Sequence, residues 1–202
     1  LRRLVQGRRI GLLAHAASVD SQLRHAFELL NGIAEVRTVF GPEHGFSATA
    51  QDMDHVAHGA ADASPLGVRV VSLYGATAAE LSPLPEHFDG LDAVVVDLQD
   101  VGSRYYTYVW TAALLMRVAA RVGVPVIVLD RPNPLGGEVC EGTPQGAVYR
   151  SFVGLYRVPI RHGLTIGEML GLVRDREKLD KDVLQVVPMG GWTRSMYFDD
   201  TG

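Results

Sequence analysis

The sequence is short of several things, and each shortage removes a class of function. It has one cysteine, Cys140, in 202 residues, so it has no intrachain disulfide framework. No apolar run approaches the roughly 20 residues that a membrane-spanning helix needs. Acidic residues outnumber basic ones, 23 to 19, and the net charge is −4. With that balance, no basic surface argues for a nucleic-acid partner. No Gly-x-Gly-x-x-Gly follows the first predicted strand, which argues against a dinucleotide site of the usual kind. A phosphate-binding Gly-x-x-x-x-Gly-Lys loop and a Gly-x-Ser-x-Gly nucleophile elbow are also missing. There is no internal repeat and no low-complexity tract. No leader is visible, but the chain begins at Leu1 and not at Met, so the compartment stays open.

What is present is the composition of a globular domain, 47% hydrophobic and 21% charged. The length suits one sizeable domain, or a domain and part of another, with a full core. Ile10 to Ala14 reads as a buried strand. Ser18 or Asp20 is placed to cap a helix with Leu23, Phe27 and Leu30 on its apolar face, ended by Asn31-Gly32 in the left-handed conformation. Ile33 to Phe40 is the second strand, which completes a strand–helix–strand unit of the kind that builds parallel sheets. Residues 41–66 form a long irregular segment of the sort that is usually functional or mobile. Val68 to Tyr74 reads as a third strand, and Thr77 to Leu81 as a short helix. Leu91 to Leu98, with its unbroken Val run, reads as a strand buried on both faces. Tyr105 to Val122 reads as a covered helix capped by Gly123, and Val124 to Asp130 as the next strand. Thr165 and Glu168 form a capping box for a helix running to about Glu177, followed by a strand over Val183 to Val187. Strands alternating with helices imply an α/β fold with a largely parallel sheet.

In such sheets ligands bind beyond the carboxyl ends of the strands, and the unusual polar residues of this chain stand there. His15 follows the first strand. Glu43 and His44 follow the second, in Gly41-Pro42-Glu43-His44-Gly45-Phe46. Asp97, Gln99, Asp100 and Arg104 follow the Val run, and Asp130, Arg131 and Asn133 follow the next strand. Each has a plain structural alternative. Asp97 can cap a turn, Arg104 can bridge to Asp100, Arg131 can pair with Asp130 in a rigid turn, and His162 can be a satisfied core residue. Tyr105 and Tyr106 suit packing, and Trp110 suits the core. Arg131 also has the planar fork that fits a carboxylate or phosphate. Asp52, Asp54, His55 and His58 have metal-ligand chemistry but no third ligand at diagnostic spacing. Nothing marks Cys140 as a nucleophile. The chemistry left is that of carboxylate and imidazole, which suits acid/base work or carboxylate-assisted glycoside cleavage.

Six segments carry a family resemblance: Gly41-Pro42-Glu43-His44-Gly45-Phe46; Ser72-Leu73-Tyr74-Gly75; Asp97-Leu98-Gln99-Asp100-Val101-Gly102-Ser103-Arg104-Tyr105-Tyr106-Thr107-Tyr108; Leu129-Asp130-Arg131-Pro132-Asn133-Pro134-Leu135-Gly136-Gly137; Glu141-Gly142; and Pro159-Ile160-Arg161-His162-Gly163-Leu164-Thr165-Ile166-Gly167-Glu168. In this order they resemble the bacterial exo-β-N-acetylmuramidase family, long catalogued as a domain of unknown function, from about Gly11 to Gly202. The resemblance implies a Rossmann-like three-layer domain over residues 1–202, with the family's C-terminal domain absent from this chain and the activity of this chain alone left open. It implies removal of terminal N-acetylmuramic acid from the non-reducing end of peptidoglycan fragments, so the partner is a peptidoglycan-derived sugar or muropeptide. It implies no metal or nucleotide cofactor, and the substrate suggests a secreted or periplasmic protein; the oligomeric state is not indicated. Glu43 matches the family's candidate catalytic glutamate, and His44, Asp97, Arg104, Asp130, Arg131, Asn133, Glu141 and His162 match its cleft motifs. One departure is Ala14-His15-Ala16-Ala17 where a Thr-Asn-Gln-Thr-like run is usual, so a polar contact there is lost or replaced by His15.

On this reading Glu43 is the general acid/base, with His44 beside it. Asp97 or Asp100 is the second carboxylate, unless the 2-acetamido group takes part. Arg131 or Arg104 holds the lactyl carboxylate, and Tyr105 offers an apolar wall. A non-catalytic sugar sensor, and a metal-dependent hydrolase using His44, His55 and His58, are the two rival classes.

Overall fold

A computed structural model describes residues 1–43, 45, 67–75 and 80–201. Its centre is a sheet of six strands, all parallel: β1 (Arg9–Ala14), β2 (Glu35–Gly41), β3 (Arg69–Ser72), β4 (Ala93–Asp97), β5 (Val126–Leu129) and β6 (Leu184–Val187). The strand order is β3-β2-β1-β4-β5-β6. The chain winds outward from β1 to β3, returns to lay β4 on the other side of β1, and winds outward again. The order therefore reverses between β1 and β4, and the crevice beyond their carboxyl ends is where doubly wound sheets take ligands.

Alternation along the strands builds the layers, because successive side chains point to opposite faces. Val94, Val96, Val126 and Val128 join one core with Ala112, Leu115, Met116 and Ala119 of α3 (Tyr108–Val122) and Ile166, Leu170 and Val173 of α4 (Ile166–Glu177). Val95, Ile127, Ile10 and Leu12 join the other core with Val5 of α1 (Arg2–Val5) and Leu30 of α2 (Ala26–Asn31). This is a three-layer α/β, Rossmann-like domain. The apolar Val runs expected for β4 and β5 are buried on both faces, as a central parallel strand requires.

The helix ends separate what local chemistry decides from what it does not. The Thr165–Glu168 capping box forms, and α4 ends at Glu177. Gly123 closes α3 at φ +72°. Helix α2 differs from the expectation. It starts at Ala26 with His25 as N-cap, and Leu23 stands outside it, 80% exposed at φ +60°. The cause is Asp20, whose carboxylate accepts from the Gln22 and Arg24 backbone N–H groups and from the Arg24 guanidinium. An Asp that bonds its own downstream backbone competes with helix. Gly32 ends α2 in the right-handed region, φ −75°, and not in the left-handed one. Helix α3 begins at Tyr108 and not at Tyr105; a turn closed by the Tyr106 N–H on the Ser103 carbonyl precedes it, and the Arg104 N–H bonds the Ile160 carbonyl at 2.8 Å. The expected helix over Thr77 to Leu81 falls largely outside the described residues, as does most of segment 41–66.

Candidate active site

The β1–β4 switch point is held by a chain of polar contacts that begins at Asp97, the last residue of β4. Asp97 is 4% exposed. One of its oxygens accepts from Arg131 Nε at 2.6 Å and the other from Arg131 Nη2 at 3.1 Å. Arg131 Nη2 also donates to the Val19 carbonyl at 3.0 Å. The Asp97 carbonyl accepts from Ser18 Oγ, and Ser18 Oγ accepts from the His15 backbone N–H. Three strand ends, those of β1, β4 and β5, are thus tied to one ion pair. The Arg131 guanidinium bonds back to Asp97 of β4 rather than to its neighbour Asp130. A cavity of about 420 Å³ with Leu29, Leu30 and Ile33 on its wall meets this ion pair on the α2 side and does not reach Glu43.

His15 is buried against the same frame. Its Nε2 accepts from the Gln99 backbone N–H at 3.2 Å, and its ring meets the Tyr108 ring edge-to-face at 4.8 Å. Burial is the main reason that its pKa falls to about 4; Arg131 and His25 push the same way and Asp97 opposes them. The imidazole is therefore neutral at physiological pH.

Glu43 stands just past β2, half-buried. Its Oε2 accepts from Thr107 Oγ1 at 2.6 Å, and its carbonyl accepts from the Tyr108 hydroxyl at 3.3 Å. Its other carboxylate oxygen has no partner among the described residues. Tyr106 lies against Tyr108 with ring centroids 4.5 Å apart. Both phenols are held protonated: burial raises their pKa values, and the Glu43 charge adds to this. Glu43, Tyr108 and His15 thereby form one contiguous wall along the start of α3.

Asp100 and His162 form a deeper pair, 4% and 3% exposed. Asp100 Oδ2 accepts from the Gly102 N–H at 3.2 Å and faces His162 Nε2 at 3.5 Å. His162 Nδ1 accepts from the Leu164 N–H, so Nε2 bears the proton in the neutral ring. Asp100 Oδ1 has no partner among the described residues. Gly102 is required here: it sits at φ +79°, and a Cβ on it would lie 2.3 Å from Asn133 Oδ1.

The remaining expected residues divide between framework and surface. Asp130 accepts from Thr165 Oγ1 at 2.7 Å and from the Gly167 N–H at 2.9 Å, which anchors the first turn of α4; burial is the first cause of its raised pKa. Asn133, 1% exposed, bonds the Leu164 carbonyl and the Leu135 N–H. Arg104 donates Nη1 to the Thr143 and Val158 carbonyls and makes no ion pair with Asp100. Tyr105 is 52% exposed. Glu141 pairs with Arg161 at 2.8 Å on the surface. Trp110 is core, with its indole N–H on the Arg104 carbonyl. His44 lies outside the described residues, and so do Asp52, Asp54, His55 and His58. Among the described residues no group of three metal-ligating side chains converges, and no helix is long and apolar enough to cross a membrane.

Thr107, Tyr108 and Ser18 were not anticipated as site residues. Thr107 and Tyr108 lie in the Tyr-Tyr-Thr-Tyr run that opens α3, and that polar cluster ahead of an apolar helix was the available signal.

Comparison with known proteins now bears on this geometry. Residues 10–202 match the model of a family described as exo-beta-N-acetylmuramidase NamZ, N-terminal. The chain belongs to that family. It is 43% identical over 202 residues to the peptidoglycan beta-N-acetylmuramidase NamZ of Bacillus subtilis (strain 168), covering 99% of this chain and 47% of that protein. Two crystal structures of DUF1343 family proteins from Bacteroides fragilis share the fold. One has a TM-score of 0.84 at 35% identity over 98% of this chain, and the other 0.75 at 29% over 96%. Each is matched over 50% of its own length. The chain thus spans about half the length of these relatives.

Proposed function

We propose that the whole protein is a glycoside hydrolase that releases terminal N-acetylmuramic acid from the non-reducing end of peptidoglycan fragments, with Glu43 as its general acid/base. Family membership and 43% identity to a peptidoglycan β-N-acetylmuramidase supply the reaction class. The observation that carries the residue assignment is the setting of Glu43. One of its oxygens is held by Thr107, and the other has no partner among the described residues, at the end of β2 beside the switch point. A carboxyl fixed at one oxygen and open at the other is oriented for proton transfer to a leaving group.

The other roles follow from which groups are already engaged. Both Asp97 oxygens are engaged by Arg131, so Asp97 positions the strand ends; of the two candidate second carboxylates, Asp100 is the one that keeps an oxygen without a hydrogen bond among the described residues, and that oxygen is buried. Arg131 is neutralised by Asp97, whereas Arg104 has no carboxylate partner among the described residues. Arg104 is therefore the cation assigned to the lactyl carboxylate, and exposed Tyr105 beside it supplies a sugar-facing wall. His44 remains assigned to the site as the neighbour of Glu43.

The test is release of N-acetylmuramic acid from a MurNAc–GlcNAc disaccharide by the whole protein. Steady turnover supports the reading. Saturable binding of the disaccharide with no turnover transfers the assignment to a sugar-binding protein.

A further inference from the structure

His15 sits at the switch point with a ring whose two nitrogens have been given different tasks. Its Nε2 accepts from a backbone donor, the Gln99 N–H. That donor cannot rotate away, so a proton on Nε2 would set N–H against N–H. The neutral ring must carry its proton on Nδ1. Nδ1 has no partner among the described residues and is not sealed from solvent, although the residue as a whole is 6% exposed. The backbone on either side is locked as well: His15 N–H bonds Ser18 Oγ, and the His15 carbonyl meets His25 Nε2 at 2.9 Å. The ring leans edge-to-face on Tyr108, whose hydroxyl bonds the Glu43 carbonyl.

We infer that His15 presents its Nδ1–H as a fixed, uncharged hydrogen-bond donor to an uncharged oxygen of the bound sugar, an acetamido carbonyl or a ring hydroxyl. The identity of the ligand rests on the glycosidase reading above; the tautomer does not. The groups around the ring are consistent with neutrality. Asp97 and Arg131 oppose one another as a pair, His25 bonds the main chain, and Tyr108 packs on the ring. An imidazolium, which would add charge attraction to an anionic ligand, is disfavoured because its Nε2–H would meet the Gln99 N–H. A preorganised neutral donor instead discriminates by leaving a buried N–H unpaired when the wrong sugar binds.

Two measurements on the whole protein test this. The first is two-bond proton–nitrogen correlation of selectively 15N-histidine-labelled protein, with His15→Phe used to assign the signal. The expected result is an Nδ1–H tautomer with no titration between about pH 5.5 and 8, and a shift of the Nδ1 signals on adding N-acetylmuramic acid. A shift that persists with muramic acid, which lacks the acetyl group, places the acceptor at a hydroxyl; its loss places it at the acetamido carbonyl. An Nε2–H tautomer, a midpoint near the ordinary 6.5, or no shift with either sugar overturns the inference. The second is hydrolysis of MurNAc–GlcNAc. His15→Phe, which keeps a ring on Tyr108, should lose about tenfold in kcat/KM, and His15→Asn, which puts a carboxamide N–H near the Nδ1 position, should recover most of it. Equal losses in both variants make His15 a packing residue. If the wild-type protein hydrolyses nothing, the glycosidase reading fails, and the tautomer and the sugar-induced shift still decide the role of His15.

Discussion

Asp97 and Glu43 are both carboxylates at the carboxyl ends of neighbouring halves of one sheet, and they have opposite surroundings. Asp97 is buried, with both oxygens bound by one guanidinium. Glu43 is half-buried, with one oxygen held by one hydroxyl and the other unpartnered among the described residues. A polar residue at a strand end is therefore not yet a reacting group. The rim has to be built before it can present anything, and most of its charged residues do the building. Asp97–Arg131 joins β4 to β5, Asp130 joins β5 to α4, and Asn133 joins the next loop to the approach of α4. Glu43 is what that frame presents.

The contrast breaks most visibly in stability. Asp97→Asn leaves Arg131 as a partly buried unpaired cation and should cost about 3 to 5 kcal/mol of unfolding free energy by urea titration. Glu43→Gln should change it by less than about 0.5 kcal/mol, because removing charge at a half-buried site away from ion pairs does little. Equal losses in the two variants would erase the distinction.

Acid should loosen the same frame. The folded pKa of His15 is about 4, below its unfolded value of 6.5. The unfolded chain therefore binds the proton first as pH falls, so the contribution is complete above 6.5 and is lost downward toward 4. Between pH 7 and 5 the loss should be about 2 kcal/mol, and His15→Asn should remove that part of the slope.

A smaller effect sharpens the Glu43 side. Thr107→Val removes the one hydroxyl that holds Oε2 and should lower kcat by about tenfold while the melting curve shifts little. The smallest expected effect is on the framework side at α4: Thr165→Ala loses both the cap to the Glu168 N–H and the bond to Asp130, at about 1 kcal/mol and with kcat retained.

The sequence was most informative where the deciding interactions are local or repeated. The Val runs of β4 and β5 need burial on both faces, and only a central strand provides it. The Thr165–Glu168 box closes within four residues, so its helix could be read to the residue. The start of α2 failed for a local reason of the other kind, because the Asp20 carboxylate could cap a helix or close a turn, and it closes the turn. Charge pairing could not be read from neighbours. Asp130 and Arg131 are adjacent in sequence and Asp100 and Arg104 stand within one short segment, yet Arg131 pairs with Asp97, 34 residues away, and Arg104 bonds carbonyls in two later loops. Thr107 meets Glu43 across 64 residues, a contact set by how α3 lies on the sheet and by no local pattern. The family motifs pointed to strand ends that the fold brings to one edge of the sheet, while which of their side chains bond one another needed the fold.

The most direct test of this account is N-acetylmuramic acid release from MurNAc–GlcNAc by the whole protein and by its Glu43→Gln form, with urea titrations of both. The account predicts superimposable unfolding curves and a loss of at least about a hundredfold in kcat, the scale expected when a general acid is removed. Turnover by Glu43→Gln equal to wild type would contradict it and return Glu43 to the ranks of the frame.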